Sequence, residues 1–217
     1  LTNIHSYAET LSESAGDIPP EMEKKFLGVI LNESDRMTHI VQDLLTLSRL
    51  DSNRDELKLA RFSFGGAVQD LYNAVYMEAQ RHGHTLTLDL EPDLPDIVAD
   101  RERIVQVMMN VVSNSIKYTP DGGHIGIYAG RRGDRVWMVV DDDGIGIPEE
   151  DRPRIFERFY RVDKARSRQS GGTGLGLSIA KEIVDRHEGQ LALLDKEGPG
   201  LAIKLELKIE GPGHGTK

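Results

Sequence analysis

The chain has 217 residues, 38% hydrophobic and 29% charged, which is enough for one well-buried domain plus a smaller appendage. A formal net charge of −9 argues against nucleic acid as a general partner. The absence of cysteine excludes disulfides and thiolate metal sites and fits a reducing cytoplasm.

The opening segment has helical spacing, with Leu1, Ile4, Ala8, Leu11 and Ala15 three or four residues apart. Gly16 to Pro20 breaks it and places proline to begin a second helix. Phe26, Ile30, Met37, Ile40, Leu44 and Leu47 continue the pattern, with Glu33 interrupting the seam. Two heptad-like helices joined by a short break predict an antiparallel hairpin over residues 1–52. A lone hairpin leaves apolar faces bare, so it either pairs with a second copy into a four-helix bundle or packs on its own globular domain.

Periodicity lapses from Asp51 to Ala60, the expected linker, and a second domain is expected over residues 60–210. Phe62 to Arg81 reads as helix, Thr85 to Leu90 as a strand, and Ile97 to Ala99 as a short one. Asp100 is placed to cap a long helix ending near Tyr118. His124 to Gly130 and Val136 to Asp141 predict antiparallel neighbours joined by Arg131 to Asp134. Gln190 to Leu194 and Leu201 to Ile209 complete the sheet. The expected second half is an α/β sandwich with about three helices on one face.

Chemistry concentrates in two places. On the long helix, Asn110, Asn114, Lys117 and Tyr118 share one side, while Ile104, Met108, Val111, Val112 and Ser115 fall on another. Asparagine gains little inside a helix, so the pair is either a merely solvated face or has a ligand. Magnesium supplies the second reading, since it takes one or two protein oxygens when phosphates provide the rest. Asn114 suits that metal, and Lys117 suits a phosphate oxygen. Further on, Asp141-Asp142-Asp143-Gly144-Ile145-Gly146-Ile147 and Gly171-Gly172-Thr173-Gly174-Leu175-Gly176-Leu177 frame a basic segment bearing Arg161, Lys164, Arg166 and Arg168. Glycines at a strand end and a helix start let backbone N–H groups approach an anion, which favours a phosphate-bearing ligand over plain turns.

Together these motifs resemble the histidine kinases of two-component signalling, over nearly the whole chain. Asn110 to Tyr118 is similar to the family's N box, Asp142 to Gly146 to its first glycine box, Phe156 to Arg161 to its F box, and Gly172 to Gly176 to its second glycine box. The run from Phe156 to Leu177 is especially similar to the WalK (VicK) subgroup. The resemblance implies an α+β chain: half of a four-helix dimerisation bundle, then a Bergerat-type (GHKL) α/β sandwich that binds ATP and Mg²⁺. It implies that Asp142 accepts from the adenine amino group and that Gly144, Gly146 and Ile147 border the base. Tyr118 packs beside the adenine, Asn114 holds the metal, and Asn110 and Lys117 act at the reacting phosphate. Lys117, Phe159 and Arg161 border the nucleotide, and Gly172, Thr173, Gly174, Leu175, Gly176 and Leu177 shape a lid and the following helix start. Leu201 departs from the family, standing where relatives commonly have a hydroxyl residue.

The family's phosphate-accepting histidine lies in a His-Glu-Leu-Arg-Thr-Pro box, placed just before a segment like Leu1 to Ile4. His5 is not expected to replace it, because no acid follows it directly. His39, His82, His84, His124, His187 and His214 occupy no matching context. The expected reaction is therefore γ-phosphoryl transfer from ATP to a histidine absent from this sequence, without self-phosphorylation. Relay to an aspartate of a response-regulator receiver domain would follow, with homodimerisation through a shortened hairpin. No apolar run approaches the ~20 residues a spanning helix needs, so a soluble cytoplasmic piece of a membrane-anchored parent is expected. The rival readings are a GHKL ATPase switch and a non-catalytic ATP-binding module. ATPases of the gyrase, MutL and Hsp90 type place a water-activating glutamate where this chain has Asn110, which cannot accept a proton at neutral pH.

Overall fold

The computed structural model describes residues 2–13, 18–51, 56–162 and 173–213. The chain divides into two compact units, residues 1–48 with 163–173, and residues 49–162 with 174–217. The fold is α+β, helical at the N-terminus and sheet-based beyond it.

In the first unit, α1 (Thr2–Glu13) precedes α2 (Pro20–Asp51), and proline occupies the first position of α2 as its fixed φ favours. The rings of Tyr7 and Phe26 meet at 5.0 Å between centroids. Glu33, the acid in the apolar seam, is answered one turn on by Arg36, with bonds of 2.6 and 3.1 Å. That hydrogen bond holds the Glu33 carboxyl below its ordinary range. Leu27, Leu31, Leu44 and Leu45 are exposed.

The second unit opens with β1 (Ala60–Ser63), which pairs antiparallel with β3 (Asp96–Ala99) as a two-stranded sheet. This corrects the helix expected from Phe62. Ser63 accepts the Gly66 N–H at 3.0 Å as an N-cap, so α3 (Phe64–Arg81) starts two residues later. The main sheet runs in the order β2 (Thr85–Leu90), β4 (His124–Arg132), β5 (Arg135–Asp142), β7 (Leu201–Lys208), β6 (Gln190–Leu193). Only the β2–β4 pairing is parallel. The four-residue loop expected between β4 and β5 tightens to two residues, because Arg132 pairs with Arg135 and Gly133 takes φ 65°.

Alternation along the strands sends Ile125, Ile127, Ala129, Val136, Met138 and Val140 into the core. There they meet the buried faces of α3, α4 (Arg101–Tyr118) and α5 (Gly176–Arg186). The opposite sheet face holds an open concavity of about 400 Å³ lined by Tyr128, Trp137, Val139 and Leu194 among others.

Asp100 fixes where α4 begins. Its carboxylate accepts the Arg103 N–H at 3.2 Å as N-cap and the Lys58 N–H at 3.0 Å. Its own N–H donates to Nε2 of His187 at 3.1 Å, while His187 Nδ1–H donates to the Ile183 carbonyl at 2.7 Å. The start of α4 and the end of α5 are thus tied through one buried imidazole.

Candidate nucleotide site

The polar and apolar stripes of α4 separate as their spacing requires. Ile104, Met108, Val111, Val112 and Ser115 are buried, whereas Asn110, Asn114 and Lys117 are half-buried and Tyr118 is exposed. The Asn110 amide donates to the Gly176 carbonyl at 2.9 Å, joining α4 to the first residue of α5. The Lys117 ammonium lies 5.0 Å from the centroid of the Tyr118 ring, within cation–π range.

Asp142 ends β5 with its side chain turned toward α4, only 6% exposed. Its Oδ2 accepts the Ser115 hydroxyl at 2.7 Å. Its Oδ1 accepts the Gly144 N–H at 3.0 Å and the Leu201 N–H at 3.2 Å. An ionised carboxylate has about four lone-pair positions, so these three donors fix its orientation and leave one acceptor position on Oδ2. From outside, Lys196 donates to the Asp142 carbonyl at 2.6 Å and pairs with Asp141. Asp143 has a different task. It accepts the His124 N–H at 2.7 Å, and that bond holds its carboxyl below the ordinary range.

The glycines are needed here for close approach. A Cβ at position 144 would lie 2.7 Å from the Tyr118 carbonyl and 2.8 Å from Asp142 Oδ1. Gly146 takes φ 66°. Gly200, at φ 90°, presses against the Asp142 carbonyl so closely that any Cβ would overlap it. Ile147, beyond the box, is half-buried, and its carbonyl accepts Arg152 Nε at 3.4 Å.

In the F-box segment, Phe159 adopts φ 62° with 59% of its surface exposed. That backbone is uncommon for an aromatic residue. It is held by a bond from the Phe159 N–H to the Gly174 carbonyl at 3.0 Å. Gly174, at φ 74°, leaves room against Tyr160 and the Arg161 side chain. Leu175 is fully buried as the N-cap residue of α5, and its carbonyl accepts the Ser178 hydroxyl at 2.8 Å and the Ile179 N–H at 2.9 Å. Leu177 is half-buried. Thr173 groups with the first unit, where its hydroxyl donates to Asp43 at 2.9 Å. Gly172, with Lys164, Arg166 and Arg168, lies outside the described residues.

The second unit therefore brings together Asp142, Gly144, Gly146 and the polar stripe of α4, and separately Phe159 with Gly174. Sequence reasoning missed Ser115, which it placed in the apolar stripe, and also Lys196 and the Leu201 N–H. A serine interrupting a core stripe was the available signal for the first of these. Among the described residues no three His, Cys, Asp or Glu side chains converge as a metal site, and no helix is long and apolar enough to cross a membrane.

Comparison with known proteins follows the same division. Residues 99–211 match the model of the histidine kinase-, DNA gyrase B-, and HSP90-like ATPase family, and residues 1–53 match the His Kinase A (phospho-acceptor) domain. The sensor histidine kinase WalK of Bacillus subtilis is 38% identical over 218 residues, covering 95% of this chain. The chain spans 34% of that protein's length. Among solved structures, full-length ShkA in complex with AMPPNP has a TM-score of 0.74 at 25% identity, covering 92% of this chain and 41% of that one. Histidine kinase ThkA in complex with the response regulator protein TrrA has a TM-score of 0.75 at 25% identity, covering 95% of this chain and 57% of that one. The chain belongs to the histidine kinase-, DNA gyrase B-, and HSP90-like ATPase family and, within it, to the WalK-like sensor histidine kinases.

Proposed function

We propose that residues 60–210 are a catalytic domain that binds Mg-ATP, and that its γ-phosphoryl group passes to a histidine and then to an aspartate of a response-regulator receiver domain. The observation that carries this reading is the buried Asp142 carboxylate with one acceptor position left, beside the half-buried Asn110, Asn114 and Lys117. That position suits a base presenting an amino hydrogen and repels one presenting a carbonyl.

The donor set fits a magnesium nucleotide. The Asn114 amide oxygen is a hard ligand of the type Mg²⁺ takes alongside phosphate oxygens and water. When bound, the metal would neutralise charge on the phosphates. Lys117 and Arg161 would add positive charge at the same groups, and Tyr118 would cover the base. Phosphoryl transfer depends mainly on positioning and charge neutralisation, which these side chains are equipped to provide. Asn110 spends its amide on Gly176 and offers no base for water, so hydrolysis is expected to be slow. The glycine-flanked segment 156–171 would serve as a lid over the nucleotide.

Residues 1–52 are proposed as the helical dimerisation domain. The exposed Leu27, Leu31, Leu44 and Leu45 support pairing with a second copy. Likeness to the ThkA–TrrA complex supports a receiver domain as partner, and likeness to AMPPNP-bound ShkA supports an adenine nucleotide. The full protein is proposed to be membrane-anchored with this part in the cytoplasm. His84 and His187 are buried, and His82 and His124 face Asp121 and Asp143. His5 has Glu9 at 3.6 Å one turn on but no acid directly after it. The chain alone is proposed to bind ATP without labelling itself.

The test is to mix the chain with labelled Mg-ATP and a separate acceptor-bearing helical domain. Label on the acceptor histidine supports the kinase. Free phosphate without it supports an ATPase switch, and binding with neither supports a non-catalytic module.

A further inference from the structure

The outward face of the main sheet is apolar at its centre, where the solvated face of an antiparallel sheet is ordinarily polar. Tyr128, Trp137, Val139 and Ala202 alternate with core residues along β4, β5 and β7, and Leu194 follows β6. They line the open concavity of about 400 Å³. Two glycines of β4 seat its rings. A Cβ at Gly126 would lie 2.6 Å from Tyr128 Cε2, and one at Gly130 would lie 2.4 Å from Trp137 Cζ2. Each ring therefore lies over a strand position that has no side chain. Tyr128 and Leu194 stay 38% exposed, and Trp137 is half-buried. Val139 pairs with both Tyr128 and Lys204, and Asp141 with both Gly126 and Ala202, so the floor is apolar and one end is acidic.

The charges around this floor are unequal. Lys196 pairs with Asp141 and donates to the Asp142 carbonyl at 2.6 Å, and Lys204 pairs with Glu206, so both cations are committed. Asp195 lines the concavity, and Asp89 lies cross-strand from Tyr128 on the same face. Both are exposed, and neither side chain has an ion pair or hydrogen bond among the described residues. Aromatic rings beside unanswered carboxylates complement a guanidinium, which is planar, always charged, weakly hydrated and able to stack on a ring. A second copy of the same face would instead bring like charges together, in a chain whose net charge is already −9. We propose that this face docks a protein partner through an arginine-bearing segment. The guanidinium stacks on Tyr128, on the strand between the two free carboxylates, and a neighbouring aliphatic side chain covers Val139 and Leu194. Buried tyrosine, tryptophan and arginine are the usual anchors of such contacts.

The test titrates the full chain with acetyl-Leu-Arg-Leu-amide and with the same peptide carrying citrulline, the uncharged isostere of arginine. Trp137 is the only tryptophan, so its emission reports on this face, and no nucleotide is needed. The arginine peptide should shift that emission saturably and bind at least about fivefold more tightly than the citrulline peptide. Asp89→Asn combined with Asp195→Asn should weaken the arginine peptide about 3–10-fold. The melting temperature should not change, since neither carboxylate has a partner to lose. Glu21→Gln combined with Glu23→Gln, two exposed acids of α2, removes the same net charge and should leave the affinity as it was. Emission that does not respond, equal affinity for the two peptides, or an equal loss in the α2 variant would each overturn the assignment. Emission that changes with protein concentration alone would give the face to a second copy and overturn it as well.

Discussion

The Ser115 hydroxyl donates to Oδ2 of Asp142 across 2.7 Å, with both side chains buried. It links the core side of α4 to the last residue of β5, so the helix that carries the polar stripe also orients the carboxylate proposed to meet the base. Ser115→Ala removes one of three donors to a buried charge. Denaturation should show a loss of about 1–3 kcal/mol, and calorimetry a nucleotide affinity roughly 3–10-fold weaker.

Gly200 and Gly198 offer a controlled comparison. Both have positive φ, 90° and 93°, but a Cβ at 200 overlaps the Asp142 carbonyl, whereas nothing lies within 4 Å of one at 198. Gly198→Ala should cost about 1 kcal/mol from backbone strain alone. Gly200→Ala should cost more than about 3 kcal/mol and lower nucleotide affinity, since it must displace the end of β5. Paired urea titrations give both values.

Asn114 is the proposed metal ligand, and its substitution separates metal from base. In the unsubstituted chain, chelating Mg²⁺ should weaken ATP binding by at least about tenfold. In Asn114→Ala, affinity should already be low and should respond little to chelation, with the fold unchanged by circular dichroism. A variant that keeps the full metal response would remove Asn114 from that role.

His187 makes stability depend on pH. Burial is the main cause that lowers its pKa from 6.5. Arg186 adds to this, while the Ile183 carbonyl and Asp100 oppose it. The unfolded chain therefore takes up this proton at higher pH than the folded one. The contribution is complete above about pH 6.5 and is lost as pH falls from there through the folded value. Protonation also leaves Nε2 unable to accept the Asp100 N–H. His187→Gln should be less stable than the unsubstituted chain at pH 7.5 by about 1–3 kcal/mol, and the gap should narrow toward pH 5.

Much of this site was legible because it rests on local periods. Helical spacing put Asn110, Asn114 and Lys117 on one side of α4 and the core on another, and capping chemistry located Asp100. The glycine positions marked close approach before any contact was known. What stayed hidden depends on pairings distant in sequence. Ser115 and Asp142 are 27 residues apart, and the Leu201 N–H reaches Asp142 from 59 residues away. A serine in a core stripe marks Ser115 as unusual, but nothing local names the carboxylate it meets. β1 was missed because Phe62 and Phe64, two apart, suit a strand as well as a helix start, and pairing with β3 decides it.

The account stands most directly on equilibrium binding of Mg-ATP to the folded chain, measured by calorimetry with Asp142→Asn as control. It predicts saturable one-to-one heat that falls by about 100-fold in affinity or disappears in the variant. No heat across several protein concentrations, or equal binding by both proteins, would contradict it.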